Sequence, residues 1–475
     1  MTHDLNRVPT RTAAAYGAGQ LGAQIFRDTP AVLLPIFMTT ILGIPPWLSG
    51  LVILIPKLWV IVCDPLVGAF SDRKKESWGR TRFLTIGAIL TSMGFASLFA
   101  FVDYPGPYAA AGAICLLFLI ASTAFSLYSV PYLAVASELS DDPHERTRIL
   151  TFRMVATVGG VVIGVGVAQP LVFALGGGAR GWNVMGYSFA AICLLSMLIP
   201  AIFLRGVPLL KSAQTPTGML GQLSSVMSNK PFMILLATTF VQGIGMASSY
   251  TAIGFFYVYA LNMVQIIPTF VIVMAIGSLV GQPIFLHLSR RFGKERCYVV
   301  GSALWMMVTT TWFFVEPQSP VVATLPLIGD LTREGLLVLA RGFFIGVVNT
   351  GFLLLSFSML TDTVDLHRRR HGSVNEGVFS GIFSAAEKLA FALGPLVAGI
   401  IMSSFGFVSS THGVVPQSEH AVLGVIMLYS VVPVVTQLIS LLVFSRYRLD
   451  SDEISRGSVN WEDAARLEPS PGLER

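Results

Sequence analysis

Twelve long apolar runs, each divided from the next by a short polar connection, leave this chain very few folds to choose from. They cover approximately 13–42, 47–70, 83–102, 108–139, 149–175, 182–204, 232–261, 264–288, 298–315, 335–361, 377–405 and 421–444. A helix crosses bilayer hydrocarbon with about 20 residues, and it satisfies its own backbone hydrogen bonds within one segment, as lipid requires. The runs therefore predict an all-α membrane protein of twelve transmembrane helices. Charged residues are only 12% of the chain, about half their share in soluble domains.

The net charge of +5 does not point to nucleic acid, because the basic residues sit in loops between apolar runs. They gather at Arg73, Lys74, Lys75, Arg80 and Arg82, at Arg146 and Arg148, at Lys211 and Lys230, at Arg290, Arg291, Lys294 and Arg296, and at Arg368 to Arg370. All are even-numbered connections and so share one face, which the positive-inside rule makes cytoplasmic. Both termini fall on that face, and the opening MTHDLNRVPTRT lacks a signal-peptide pattern. The expected location is the plasma membrane, the inner membrane of a bacterium. Cys63, Cys115, Cys193 and Cys297 have no metal-like spacing and read as packing residues.

The chain repeats. PLVGAFSDRKKESWGRTRF follows the second run and PIFLHLSRRFGKERCY the eighth. Pro65 to Ser71 matches Pro283 to Ser289 in spacing, and both loops then reach Gly-x-x-Arg at Gly79 to Arg82 and Gly293 to Arg296. Six runs thus repeat as six, giving a cytoplasmic N-terminus (1–12), a first six-helix bundle (13–204), a linker (205–231), a second bundle (232–444) and a polar tail (445–475) expected to be disordered. Two parallel repeats that rock about a site near the bilayer midplane are the plan of the major facilitator superfamily.

Charges inside the apolar runs are costly in lipid and are functional by default. Asp64 stands in the second run with Lys57 two helical turns before it on the same face. In the first run Gln20, Gln24 and Asp28 fall four residues apart, with Arg27 beside them. Gly17, Gly19 and Gly22 let that face approach its neighbours. Lys388 and Glu387 stand in the eleventh run. Each acid or base either lines an aqueous path or forms a structural ion pair.

DPLVGAFSDR with WGRTR, VPYLAVASELSDDPHERTRILTFR, and LTDTVDLHRRRHGSVNEGVFSGIFSAAEKLAFALGP together resemble the glycoside–pentoside–hexuronide:cation symporters, the melibiose permease-like branch of the major facilitator superfamily. The resemblance extends over most of the chain, including YGAGQLG. It implies no enzymatic activity and no cofactor, but a monomeric, lipid-embedded transporter of a sugar or glycoside-like small solute, coupled to co-transported H+ or Na+.

The resemblance also carries over site residues. Asp64 matches one of two aspartates of the family's cation site, Ser384 its threonine and Lys388 its neighbouring lysine, whereas the first aspartate position is Val60. One carboxyl group suffices for a proton, while Na+ favours several oxygens, so H+ coupling gains weight. Lys57 joins this coupling group. For the solute, the family's sugar-binding aspartate positions are Gln24 and Ser129, and its fourth-run aromatic positions are Phe125 and Leu133. Arg153 matches a family arginine, and with Arg27 and Asp28 it makes an anionic solute such as a uronide conceivable. Tyr128 and Tyr250 are candidates to line the cavity, with plain packing as the alternative.

At the cytoplasmic face, Asp72, Arg73, Gly79 and Arg82 read as gating residues whose charges pair with helix ends of the other half and part as the halves separate. Asp362, Asp365 and Glu376 would supply the matching lock, and Asp141, Glu145 and Arg146 repeat the theme. The rival reading is transport of a lysolipid or other amphiphile on the same fold. A membrane enzyme is disfavoured because the seven histidines are scattered, and a primary pump because no phosphate-binding loop is present.

Overall fold

The computed structural model describes residues 8–140, 142–206, 226–325, 329–371 and 376–447. Fourteen helices are named here: α1 (Thr10–Thr40), α2 (Pro46–Trp78), α3 (Arg80–Ala100), α4 (Pro107–Glu138), α5 (Pro143–Val161), α6 (Ala168–Ala174), α7 (Ala179–Phe203), α8 (Lys230–Phe255), α9 (Ile267–Phe292), α10 (Lys294–Thr310), α11 (Arg333–His371), α12 (Glu376–Ser404), α13 (Glu419–Tyr429) and α14 (Val431–Phe444). A π-helical turn, Val162–Val167, joins α5 to α6, and a second, Phe256–Ala260, extends α8. α13 and α14 form one span bent at Ser430, where the missing N–H of Pro433 breaks the hydrogen-bond ladder. A short antiparallel hairpin, β1 (Val321–Leu325) and β2 (Gly329–Thr332), lies between α10 and α11.

Among the described residues, eleven helical stretches are long and apolar enough to cross a membrane. The remaining span is α1, whose 31 residues suffice in length but whose Gln20, Gln24, Arg27 and Asp28 lower its hydropathy. It survives because it is enclosed by protein: Gln20, Gln24 and Asp28 are buried. Elsewhere, large apolar side chains such as Leu116, Leu195, Met307 and Leu442 are exposed, as suits a surface solvated by lipid.

Local chemistry sets the helix ends. Pro46 and Pro107 occupy first turns, where a missing N–H costs nothing. Asn229 and Ser418 cap α8 and α13 through the N–H groups of Phe232 and Ala421. Gly79 and Gly293 join α2 to α3 and α9 to α10 at φ of 71° and 87°, which other residues rarely adopt.

α1 packs on α5 and α7, α3 on α4 and α7, and α2 on α4. In the second half α8 packs on α12 and α14, and α9 on α11. The halves meet along α2 with α12, α1 with α8, and the first π turn with α9. At the end remote from the basic loops this seam is tight. The N–H groups of Ser410 and Gly413 donate to the carbonyls of Thr39 and Thr40 at 2.8 and 2.9 Å, and that of Gly43 to Ser410 at 3.1 Å. Ser409 Oγ donates to Ile44 O at 2.8 Å, and Trp47 N–H to Ser403 Oγ at 3.0 Å. α12 presses on the start of α2 so closely that a Cβ at Gly399 would lie 2.1 Å from Pro46 O.

Candidate functional site

The middle of the interface between the halves is polar. Lys388 Nζ on α12 donates to Asp64 Oδ2 on α2 at 2.8 Å, joining the two halves, with side chains 48% and 18% exposed. Among the described residues, Asp64 Oδ1 is buried without a hydrogen-bond partner. Lys57 Nζ also crosses to α12, donating to Phe391 O at 3.4 Å. Ser384 is exposed one turn before Lys388, and it is Lys388 that reaches Asp64.

A second polar line runs along α1. Arg153 Nε donates to Gln20 Oε1 at 3.0 Å, Gln20 Nε2 to Gln24 Oε1 at 3.2 Å, and Gln24 Nε2 to Asp28 Oδ2 at 2.6 Å. Arg27 Nε approaches Asp28 Oδ1 at 3.4 Å, while 64% of the Arg27 side chain stays exposed. Tyr250, from α8, lies close enough to Asp28 and Arg27 for electrostatic interaction. Lys57 lies close enough to Asp28 and Arg27 for electrostatic interaction, and Glu387 close enough to Arg27 and Lys388. Four helices, α1, α2, α5 and α12, thus bring together four cations (Arg27, Lys57, Arg153, Lys388) and three carboxylates (Asp28, Asp64, Glu387).

Other candidates fall elsewhere. Tyr128 does not line a cavity: its side chain is fully buried and stacks on Tyr132 at a centroid distance of 5.3 Å, Tyr132 stacking in turn on Tyr16 at 4.6 Å, and its hydroxyl fills the space a Cβ at Gly19 would need. Packing of aromatic faces on a glycine-thinned helix claims it. Ser129 is half-buried on α4. Phe125 stacks on Phe26 at 4.7 Å, and Leu133 is 49% exposed.

The candidate gating residues form locks of a different kind from the cross-half pairing the sequence suggests. Arg80, 5% exposed, is their centre. Its guanidinium donates to Ser71 Oγ at 2.6 Å, to Asp72 at 2.6 Å and to Glu138 at 2.8 Å, and Lys75 joins Glu138 at 2.8 Å. In the second half Lys294 pairs with Asp362 at 2.6 Å. Each lock therefore lies within one half: Asp72 and Asp362 do not meet across the interface. Gly79 only shapes the turn, and Arg73, Arg82 and Asp365 are exposed. Asp141 lies outside the described residues, as do the side chains of Glu376 and Arg368 to Arg370. Arg80, Glu138 and Lys294 were missed because the repeat was aligned on Arg82 and Arg296. The better signal is the basic residue directly after each positive-φ glycine, which the turn throws back onto the fourth and tenth spans. Outside the spans, burial first, then the carboxylates of Asp362 and Glu295, push the Tyr447 hydroxyl well up, so it stays neutral beside the second lock. Among the described residues no group of three or more His, Cys, Asp or Glu side chains is placed to hold a metal ion.

Twelve membrane helices in two similar halves, with charges at the interface, define a secondary transporter of the major facilitator fold. The family model described as MFS/sugar transport protein matches residues 15–451, and the chain belongs to that family. It is 21% identical to the inner membrane symporter YicJ of Escherichia coli (strain K12), over 91% of this chain and 90% of the relative. It is 23% identical to the isoprimeverose transporter of Lactiplantibacillus pentosus, over 94% and 90%. Among solved structures it resembles a bacterial homologue of the human lysosomal transporter Spinster, in an inward-facing and unoccupied conformation, with TM-score 0.63 and 13% identity over 92% of this chain and 95% of that one. It also resembles the nucleoside transporter NupG, with TM-score 0.62 and 14% identity over 93% and 100%. The protein is a multi-pass membrane transporter of the glycoside–pentoside–hexuronide:cation symporter type, not an enzyme.

Proposed function

We propose that the protein carries an anionic glycoside-like solute, such as a uronide, across the plasma membrane in symport with a proton. The observation that carries this reading is the pair Asp64–Lys388, which bridges the halves within an interface holding one more cation than carboxylates. A solute carboxylate supplies the missing anion, and Arg27, whose side chain remains largely exposed, offers it a bidentate donor. Tyr250 and Asp28 present hydroxyl-binding groups beside it. The names of the relatives, a symporter and a sugar transporter, fit this class of solute.

The donor set favours H+ over Na+. Val60 supplies no oxygen where the family has a second carboxylate, and the Lys388 ammonium 2.8 Å from Asp64 opposes a metal cation there. A proton on Asp64 abolishes the ion pair that joins the halves, which couples its binding to their rocking. The bundles 13–204 and 232–444 move as units joined by the linker 205–231, with both termini cytoplasmic. Arg80–Glu138 and Lys294–Asp362 hold each half's cytoplasmic end together. The tight seam remote from the basic loops supports reading the present state as inward-facing.

Phe125 and Leu133, apolar where melibiose permease-like proteins bind sugar, favour an amphiphile as the second reading. Uptake into vesicles of radiolabelled methyl β-D-glucuronide, methyl β-D-galactoside and a lysophospholipid, with imposed pH or Na+ gradients, separates the two. Glucuronide accumulation driven by a pH gradient and lost in Asp64→Asn is expected. Lysophospholipid uptake alone would overturn the proposal.

A further inference from the structure

The line from Arg153 to Asp28 has a direction that its ends impose. A guanidinium only donates and an ionised carboxylate only accepts, whereas each glutamine amide does both. Arg153 therefore fixes the Gln20 oxygen toward itself, which turns the Gln20 amino group to Gln24 and the Gln24 amino group to Asp28. Three hydrogen bonds, spaced four residues apart on α1, point the same way over about 12 Å of helix.

Both oxygens of Asp28 face donors, the Nε–H of Arg27 and the amino group of Gln24, but only the Gln24 amide can turn an acceptor toward an arriving proton. Oδ1 faces the Nε–H of Arg27, a donor that cannot accept a proton, and charge-assisted bonds to an arginine are about twice as strong as neutral ones. The proton settles on Oδ2, which faces Gln24. The Gln24 amide must then turn its oxygen to Asp28 and its amino group to Gln20, and Gln20 must turn likewise. The reversed Gln20 presents its amino group to Arg153, donor against donor, and that contact is lost. The other polar groups facing Asp28, Tyr250 of α8 and Lys57 of α2, attach to neither glutamine and do not oppose the turn.

We propose that Arg153, Gln20, Gln24 and Asp28 form a directional relay in which neutralising Asp28 frees Arg153 two helical turns away, with Gln20 and Gln24 as positioning residues. The proposal deepens the anionic-solute reading: a protonated Asp28 makes Arg153 available to a carboxylate, so proton and anion bind together at a site separate from Asp64.

The test needs no solute, so its failure leaves the transport reading standing. Full-length protein in lipid nanodiscs is treated with phenylglyoxal, and modification of Arg153 is measured by peptide mass spectrometry relative to the exposed Arg73 in the same sample. Arg153 should be protected in the wild type and modified several-fold faster in Gln20→Leu, which removes its acceptor. Asp28→Asn, whose amide places its oxygen on Arg27 and its amino group on Gln24, should approach the Gln20→Leu rate. Asp28→Glu should restore protection. On a Gln24→Leu background, which cuts the line, Asp28→Asn should change nothing further. Equal protection in wild type and Asp28→Asn overturns the proposal. So does an Asp28→Asn effect that persists undiminished with Gln24→Leu, since general loosening of α1 would then explain it.

Discussion

Removing the Lys388 ammonium tests how the two halves hold together. Exposed ion pairs are worth roughly 0.2–1 kcal/mol, while breaking a fully buried one costs roughly 3–5 kcal/mol. With Asp64 18% and Lys388 48% exposed, the pair lies between these limits. Discounting for the exposed ammonium leaves about 1–2 kcal/mol, a factor of about 5–30 in a two-state equilibrium. Because the pair bridges α2 and α12, Lys388→Met withdraws that energy from the arrangement in which the seam remote from the basic loops is closed. Ser403→Cys, placed where Ser403 accepts from Trp47 in a background with Cys63, Cys115, Cys193 and Cys297 replaced by alanine, reports opening through its rate of maleimide labelling. Lys388→Met and Asp64→Asn should each raise that rate about 5- to 30-fold, and the double variant should exceed neither. If all three label like the background, or if the single effects add within about 0.5 kcal/mol as independent sites do, the pair does not hold the halves.

Three further outcomes follow from the geometry. Gly399→Leu drives a side chain into Pro46 O, an overpacking cost of about 1–3 kcal/mol that should open the same seam; unchanged maleimide labelling of Ser409→Cys would count against it. Arg80→Met leaves Glu138, 3% exposed, with Lys75 as its one cation among the described residues, so thermal unfolding of purified protein should show a larger loss than Lys294→Met, whose pair is 37% and 25% exposed; equal losses would refute that ranking. Val60→Asp adds the carboxylate one turn from Asp64 and should introduce Na+ dependence into glucuronide uptake, and an unaltered Na+ response would argue against a cation site there.

The spans were legible because lipid imposes one simple demand, continuous apolar length, and the Gln20, Gln24, Asp28 spacing on α1 became a hydrogen-bonded line because a helix stacks residues four apart. Meeting of Asp64 with Lys388 followed from the family resemblance, since no local pattern relates residues 324 apart. For Tyr128 the choice between cavity lining and packing is not legible on its own helix, because its burial depends on glycines of other helices, Gly19 and Gly87. The partnership of Arg80 with Glu138, 58 residues on, was hidden behind a loop repeat aligned one feature too late. The π turns and the bend at Ser430 left no periodic signature, since each adjusts a single turn within an otherwise regular apolar run.

The strap formed by residues 409–413 against 39–44 is held chiefly by main-chain donors and acceptors. Most substitutions there leave those partners in place, so evolution can rewrite the side chains along that rim without unsealing the door beneath it. Side-chain chemistry at the rim and integrity of the barrier are thereby freed from each other.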